Sequence, residues 1–261
     1  ILVIGNLILQ FALLILNWVT SEGFISWQYT KNPIVDIGWT LTRDLSNMFL
    51  VIVLVLIGLG TALKLNEYEV KKTLPKLIGI ALLINFTPVI LGLIVDASNI
   101  MMNFFLEKMS GFDAMGRTLE AQYSIISQTL ISGNIILGIV PALFQTILIF
   151  IFDIIAAFVI GLFTALFVIR YVAIWMLVIL SPFAFVSSLL PATKGFFRFW
   201  WGNFINWSII GVIAAFFLYL GNHILFNSSK IINPNAMPAM TGFSPSFTAF
   251  TQSLMPLGIA L

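Results

Sequence analysis

Three ionisable side chains stand inside long apolar runs of this sequence: Asp96, Asp153 and Arg170. At hydrocarbon depth such a group costs at least about 2.5–3.5 kcal/mol on insertion scales, so each is expected to pair, to face water or to act. Asp96 and Asp153 could serve a membrane-embedded enzyme, and a carboxylate with a guanidinium could form a buried ion pair. Pairing explains each acid without chemistry, so catalysis through Asp96 and Asp153 is the weaker reading. Asn85, Gly92, Asp96, Asn99 and Asn103 are spaced 7, 4, 3 and 4 apart, which stacks them on one helical face. That stripe reads either as a wet path for a solute or as interhelical hydrogen bonding, and the second is favoured because lipid gives helices no hydrophobic reason to associate. Asp153 shares a face with Ala157, Gly161 and Thr164, small residues that permit close helix approach, with the acid paired to a donor on another span. Arg170, beside Tyr171 and near Trp175, reads most simply as a side chain snorkelling from a helix end. A pairing with Asp96 or Asp153 is the sharper alternative.

Other chemistry has little to work with. The chain has no Cys and one His, His223, which excludes a disulfide framework, a thiolate nucleophile and a Cys or His metal cluster. His223 follows Asn222 at the end of an apolar run and reads as an interface residue. No Gly-rich phosphate loop, nucleophile elbow or metal-spaced His pair occurs, so neither an enzyme nor a bound cofactor or metal is expected. Asn85-Phe86-Thr87 and Asn206-Trp207-Ser208 match the glycosylation pattern inside apolar runs, out of an enzyme's reach; Asn227-Ser228-Ser229 is accessible but a weak match.

The elements that would hold these residues follow from composition. At 60% hydrophobic, 14% aromatic and 8% charged, the chain lacks the polar surface of a soluble domain, which is about 25% charged. The expected fold is all-α, a polytopic transmembrane helical bundle forming a single domain over 1–261. Spans of about 20 apolar residues are read at 1–18, 46–63 and 77–105, twice within 135–190, and at 204–226. That makes about six, and a seventh could begin at the C-terminal end. Polar connections are expected at 19–45, 64–76, 107–132 and 227–253. Asn85-Phe86-Thr87-Pro88 should interrupt the third span, since proline lacks a backbone donor. The chain starts at Ile1, without a positive leader, and turns apolar again at 253–261, so it reads as an excerpt of a longer protein whose first segment is a span.

Lys64, Lys71, Lys72 and Lys76 against Glu67 and Glu69 form the densest basic cluster. By the positive-inside rule the 64–76 loop is cytoplasmic and 107–132 lies opposite. Anionic headgroups explain that basic cluster as well as nucleic acid would. A single helix over 135–190 would reach about 80 Å, so two spans meeting near Arg170 and Tyr171 are expected. Two passes put Lys194 and Arg198 outside, against their preference; a single pass would reconcile the signals. Trp175, Arg198, Trp200 and Trp201 are expected as interface anchors, the last three in a 196–201 segment lying at the membrane surface.

Residues 167–207 read FVIRYVAIWMLVILSPFAFVSSLLPATKGFFRFWWGNFINW. An Arg-aromatic pair opens an apolar helix, Ser181-Pro182-Phe183-Ala184-Phe185 follows, then Pro191 and a basic Trp-Trp segment. This resembles the TrbL family of polytopic inner-membrane subunits of type IV secretion and conjugation machines. Residues 82–105, LLINFTPVILGLIVDASNIMMNFF, are similar in character to the span before that family's central extracytoplasmic loop; the short, nearly charge-balanced 107–132 segment departs from the pattern. The resemblance implies a scaffold or conduit in the bacterial inner membrane, a homo-oligomer working with ATPases, pilin and other subunits, in transient contact with translocated DNA or protein. The alternative is a stand-alone transporter or channel lined by the Asn85, Asp96, Asn99 and Asn103 face.

Overall fold

Asn32 and Pro33 open a helix by three cooperating signals. The Asn32 side-chain oxygen accepts from the Ile34 N–H at 3.0 Å, Pro33 occupies the first helical position, and Asp36 lies in the first turn. Together they satisfy an orphan donor, preset φ and complement the positive helix end. The helix runs through Pro33–Ala62, so the expected 19–45 loop is cut short: its charges Asp36, Arg43 and Asp44 are carried on helix. Arg43 and Asp44 pair on the surface at 2.9 Å.

The computed structural model describes residues 2–25, 32–63, 70–108 and 135–226. In chain order the helices are α1 (Leu2–Val19), the short α2 (Glu22–Ile25), α3 (Pro33–Ala62), α4 (Val70–Glu107), α5 (Ile135–Ile179), α6 (Ser181–Ser187), a 3-10 turn at Pro191–Thr193, and α7 (Lys194–Phe226). Among the described residues there is no strand, and the expectation of an all-α membrane bundle holds. Among the described residues four helices are long and apolar enough to cross a membrane, over Pro33–Ala62, Thr73–Glu107, Phe150–Ile179 and Lys194–Ile224, and Val3–Val19 is a shorter apolar helix. The expected 64–76 loop is helical from Val70, and its 64–69 part, with Lys64, lies outside the described residues. So do 109–134 and 227–261.

One expected break is absent. α5 is one helix of 45 residues that passes through Arg170 and Tyr171, where two spans were expected to meet; no Gly or Pro interrupts it there, and Arg170 finds its oxygens inside the bundle. α4 carries Pro75 and Pro88 within its length, and Asn85-Phe86-Thr87-Pro88 does not end it.

Contacts divide the chain into two units. The first comprises Ile1–Phe24, Met102–Phe167 and Ile213–Leu261. In it α1 buries Leu9, Leu13, Leu16 and Val19, and Phe105 meets Phe216 edge-on at 5.5 Å. The second comprises Ile25–Met101 and Val168–Val212. One of its apolar clusters gathers Val35, Leu91, Val95, Ile174, Val178, Ala184, Trp200 and Phe204; another gathers Leu50, Val53, Ile57, Ile84, Val186 and Leu189. The buried face of α4, with Ile84, Thr87, Leu91, Val95, Ser98 and Met102, has helical spacing.

Candidate functional site: a buried arginine beside a capped helix break

The last carbonyls of a helix have no partner within it, and at the end of α5 three consecutive ones are claimed by side chains. Trp200 of α7 donates its indole N–H to the Leu177 carbonyl at 3.0 Å, Ser181 donates its hydroxyl to that of Val178 at 2.7 Å, and the Thr42 hydroxyl of α3 lies 2.5 Å from that of Ile179. The Ser181 bond has a local cause. Pro182 lacks the N–H that would reach back four residues to Val178, and the preceding hydroxyl supplies the donor instead. Gly38 gives α3 its approach: a Cβ there would fall 2.9 Å from the Ile179 side chain.

The same device recurs in α4. Pro88 deprives the Ile84 carbonyl of its donor, and the buried Thr87 hydroxyl donates to that carbonyl at 2.8 Å. Thr87 Oγ1 in turn accepts from Trp39 Nε1 at 3.0 Å. Asn85 Nδ2 donates to the Ala81 carbonyl at 3.1 Å. Proline thus stays inside the helix because its hydrogen-bond deficit is filled locally. Trp39 and Thr42, three apart on α3, hold both proline-bearing segments.

About two turns before the capped end, Arg170 is fully buried and draws its partners from two other helices. Nη2 donates to Ser98 Oγ at 2.9 Å and Asn99 Oδ1 at 3.0 Å on α4, and lies 3.4 Å from the Ser208 carbonyl; Nε donates to the Trp207 carbonyl of α7 at 3.2 Å. Ser98 passes the chain on, donating to the Val95 carbonyl at 2.8 Å. Nη1 has no hydrogen-bond partner among the described residues. Gly211 makes room, since a Cβ on it would lie 2.6 Å from Arg170 Nε. Arg170 therefore does not snorkel, and neutral oxygens, not Asp96, receive its bonds: Asp96 is exposed on α4.

The other singled-out residues are placed as follows. Asn85 is exposed, Asn99 and Asn103 are half-buried, and only Gly92 of that stripe is buried, so the stripe flanks the packed face of α4 without being it. Asp153 is fully buried, and the close approach beside it is made by Gly5 of α1, whose added Cβ would fall 2.9 Å from Asp153 Oδ2. Ala157 and Thr164 are buried with it, whereas Gly161 is exposed with nothing within 4 Å. Trp200 is a core residue and not an interface anchor: it is 2% exposed and stacks on Phe204 at 5.7 Å. Trp175 and Trp201 pack partly buried against the same cluster, and Arg198 and Lys76 are exposed. Lys71 and Lys72 belong to the first turn of α4. The ring of His223 stacks on Tyr219 at 5.9 Å. Ser98, Thr87, Ser181 and Gly211 complete the site without standing out in the sequence; a hydroxyl residue directly before proline is the signal that marks two of them.

Among the described residues no three His, Cys, Asp or Glu side chains group at metal distance. Long apolar helices, tied by hydroxyl, amide and guanidinium groups that bond to one another and to backbone, define a multi-pass helical membrane protein. The family model described as TrbL/VirB6 plasmid conjugal transfer like protein matches residues 31–261, and the chain belongs to that family. It is accordingly a membrane component of a conjugal transfer, or type IV secretion, system and a member of a multi-subunit complex. No curated protein and no solved structure matches it.

Proposed function

We propose that this chain is a scaffold subunit of the inner-membrane platform of a conjugation or type IV secretion machine, present in several copies and coupled to cytoplasmic ATPases and pilin as DNA or protein substrate passes. The observation that carries this is how the polar groups within the apolar helices are used. Arg170, Ser98, Asn99, Thr87 and Trp200 hold helices to one another, as a subunit needs where lipid gives no hydrophobic drive to association. A channel lined by Asn85, Asp96, Asn99 and Asn103 is less well supported, because Asn99 accepts from Arg170 and the Asn85 amide bonds its own helix.

The unbroken α5 also favours one topology. A single pass between 107–132 and Lys194 leaves Lys194 and Arg198 on the same side as Lys71, Lys72 and Lys76, and the positive-inside rule makes that side cytoplasmic. Deleting the chain from donor cells and complementing it tests the function. Loss of conjugal transfer with no solute flux from the purified protein in liposomes is expected. Intact transfer in the deletion, or flux by the protein alone, would overturn the scaffold reading.

A further inference from the structure

The face of α4 turned away from its packed side is a strip of Val89, Leu93 and Ile100, at 69, 74 and 70% exposed, with Asp96 exposed among them. Spacings of 4, 3 and 4 put the four on one face, roughly opposite Leu91, Val95 and Ser98. Asp96 is the one charged residue of the sequence between Lys76 and Glu107, so about 16 Å of helix separates it from the nearer of them. A long side chain can snorkel part of such a distance, but a carboxylate on one methylene cannot. Among the described residues the recorded ion pair is Arg43 with Asp44, and Asp96 has none. An outward acid at that depth calls for a polar partner.

We propose that this strip docks a transmembrane helix of a different subunit that carries a Lys or Arg at the depth of Asp96. Charge complementarity selects the occupant. A second copy of this chain offers no such cation among the described residues: Lys71, Lys72, Lys76, Lys108, Lys194 and Arg198 lie at or near helix ends, Arg43 is paired, and Arg170 is fully buried. The apolar residues above and below Asp96 supply the van der Waals contact that membrane helices need.

The inference rests on the subunit reading, and the test separates the two. The chain has no Cys, so Leu93→Cys and Ile100→Cys each give a unique thiol beside an intact Asp96. In donor membranes holding the complete transfer apparatus, a bis-maleimide cross-linker is expected to join either thiol to another subunit. Mass spectrometry of the adduct should show a membrane segment bearing Lys or Arg. Adding Asp96→Asn should lower the yield at least tenfold, and Asp96→Lys should be rescued in transfer by an acid at the partner's cation. Adducts between two copies of this chain, a partner segment without a cation, a yield indifferent to Asp96, or no protein adduct from a thiol that N-ethylmaleimide labels fully would each overturn it. Deletion of the whole chain reports on the subunit reading independently.

Discussion

Arg170 passes so close to Gly211 that a single added methyl would lie 2.6 Å from Nε and 2.8 Å from Cδ. Since the guanidinium is held on both sides by α4 and α7, it cannot swing aside without losing bonds. Gly211→Ala should therefore destabilise the protein by about 1–3 kcal/mol, as overpacking does. Gly161→Ala, in open space, should be neutral or gain up to about 1 kcal/mol from helix propensity. Denaturant titration of both variants in one detergent checks the contrast, and equal effects would contradict the assigned close approach.

Replacing Arg170 tests whether its fork or only its charge matters. Lys keeps the charge but is a point donor without the planar geometry that reaches Ser98, Asn99 and the Trp207 carbonyl together. Arg170→Lys and Arg170→Met should both lose about 1–3 kcal/mol, with reduced steady-state levels in membranes. A Lys variant as stable and abundant as the parent would show that the fork is dispensable.

The bond from Thr87 to the Ile84 carbonyl exists because Pro88 left that carbonyl bare. Thr87→Val should cost about 1 kcal/mol, and Thr87→Ser much less. In a Pro88→Ala background a backbone N–H returns, so the cost of Thr87→Val should shrink. A double-mutant cycle measures this coupling; full additivity would refute the substitution of hydroxyl for amide.

Topology gives a separate check. Gly195 has open space around it, and as the chain lacks cysteine, Gly195→Cys is a unique reporter. We expect it to resist an impermeant maleimide applied to intact spheroplasts and to react in inverted vesicles. Labelling from outside would place Lys194 and Arg198 across the membrane from the basic turn of α4.

Several of these features are legible in the residues themselves. The anomalous charges Asp96, Asp153 and Arg170 stand out against apolar sequence, and two of them prove to be fully buried. Their partners are less visible: a backbone carbonyl such as that of Trp207 has no side-chain signature, and Ser98 resembles any small helical residue. The adjacent Trp200 and Trp201 beside Arg198 imitate an interfacial belt, yet Trp200 and Phe204 share a helical face and turn into the core. The start of α3 is written in Asn32-Pro33, but the charges of the following turns disguise it as loop. Arg170 suggests a helix end only if its charge must reach water; oxygens offered by two other helices remove that need.

The length of α5 has a consequence for its surroundings. Forty-five residues give a helical path of about 68 Å, about twice the roughly 30 Å of hydrocarbon in a bilayer. A helix this apolar is costly to leave bare in water. Whatever extends past the lipid therefore gains from any cover, be it headgroups, the rest of this chain or a neighbouring subunit.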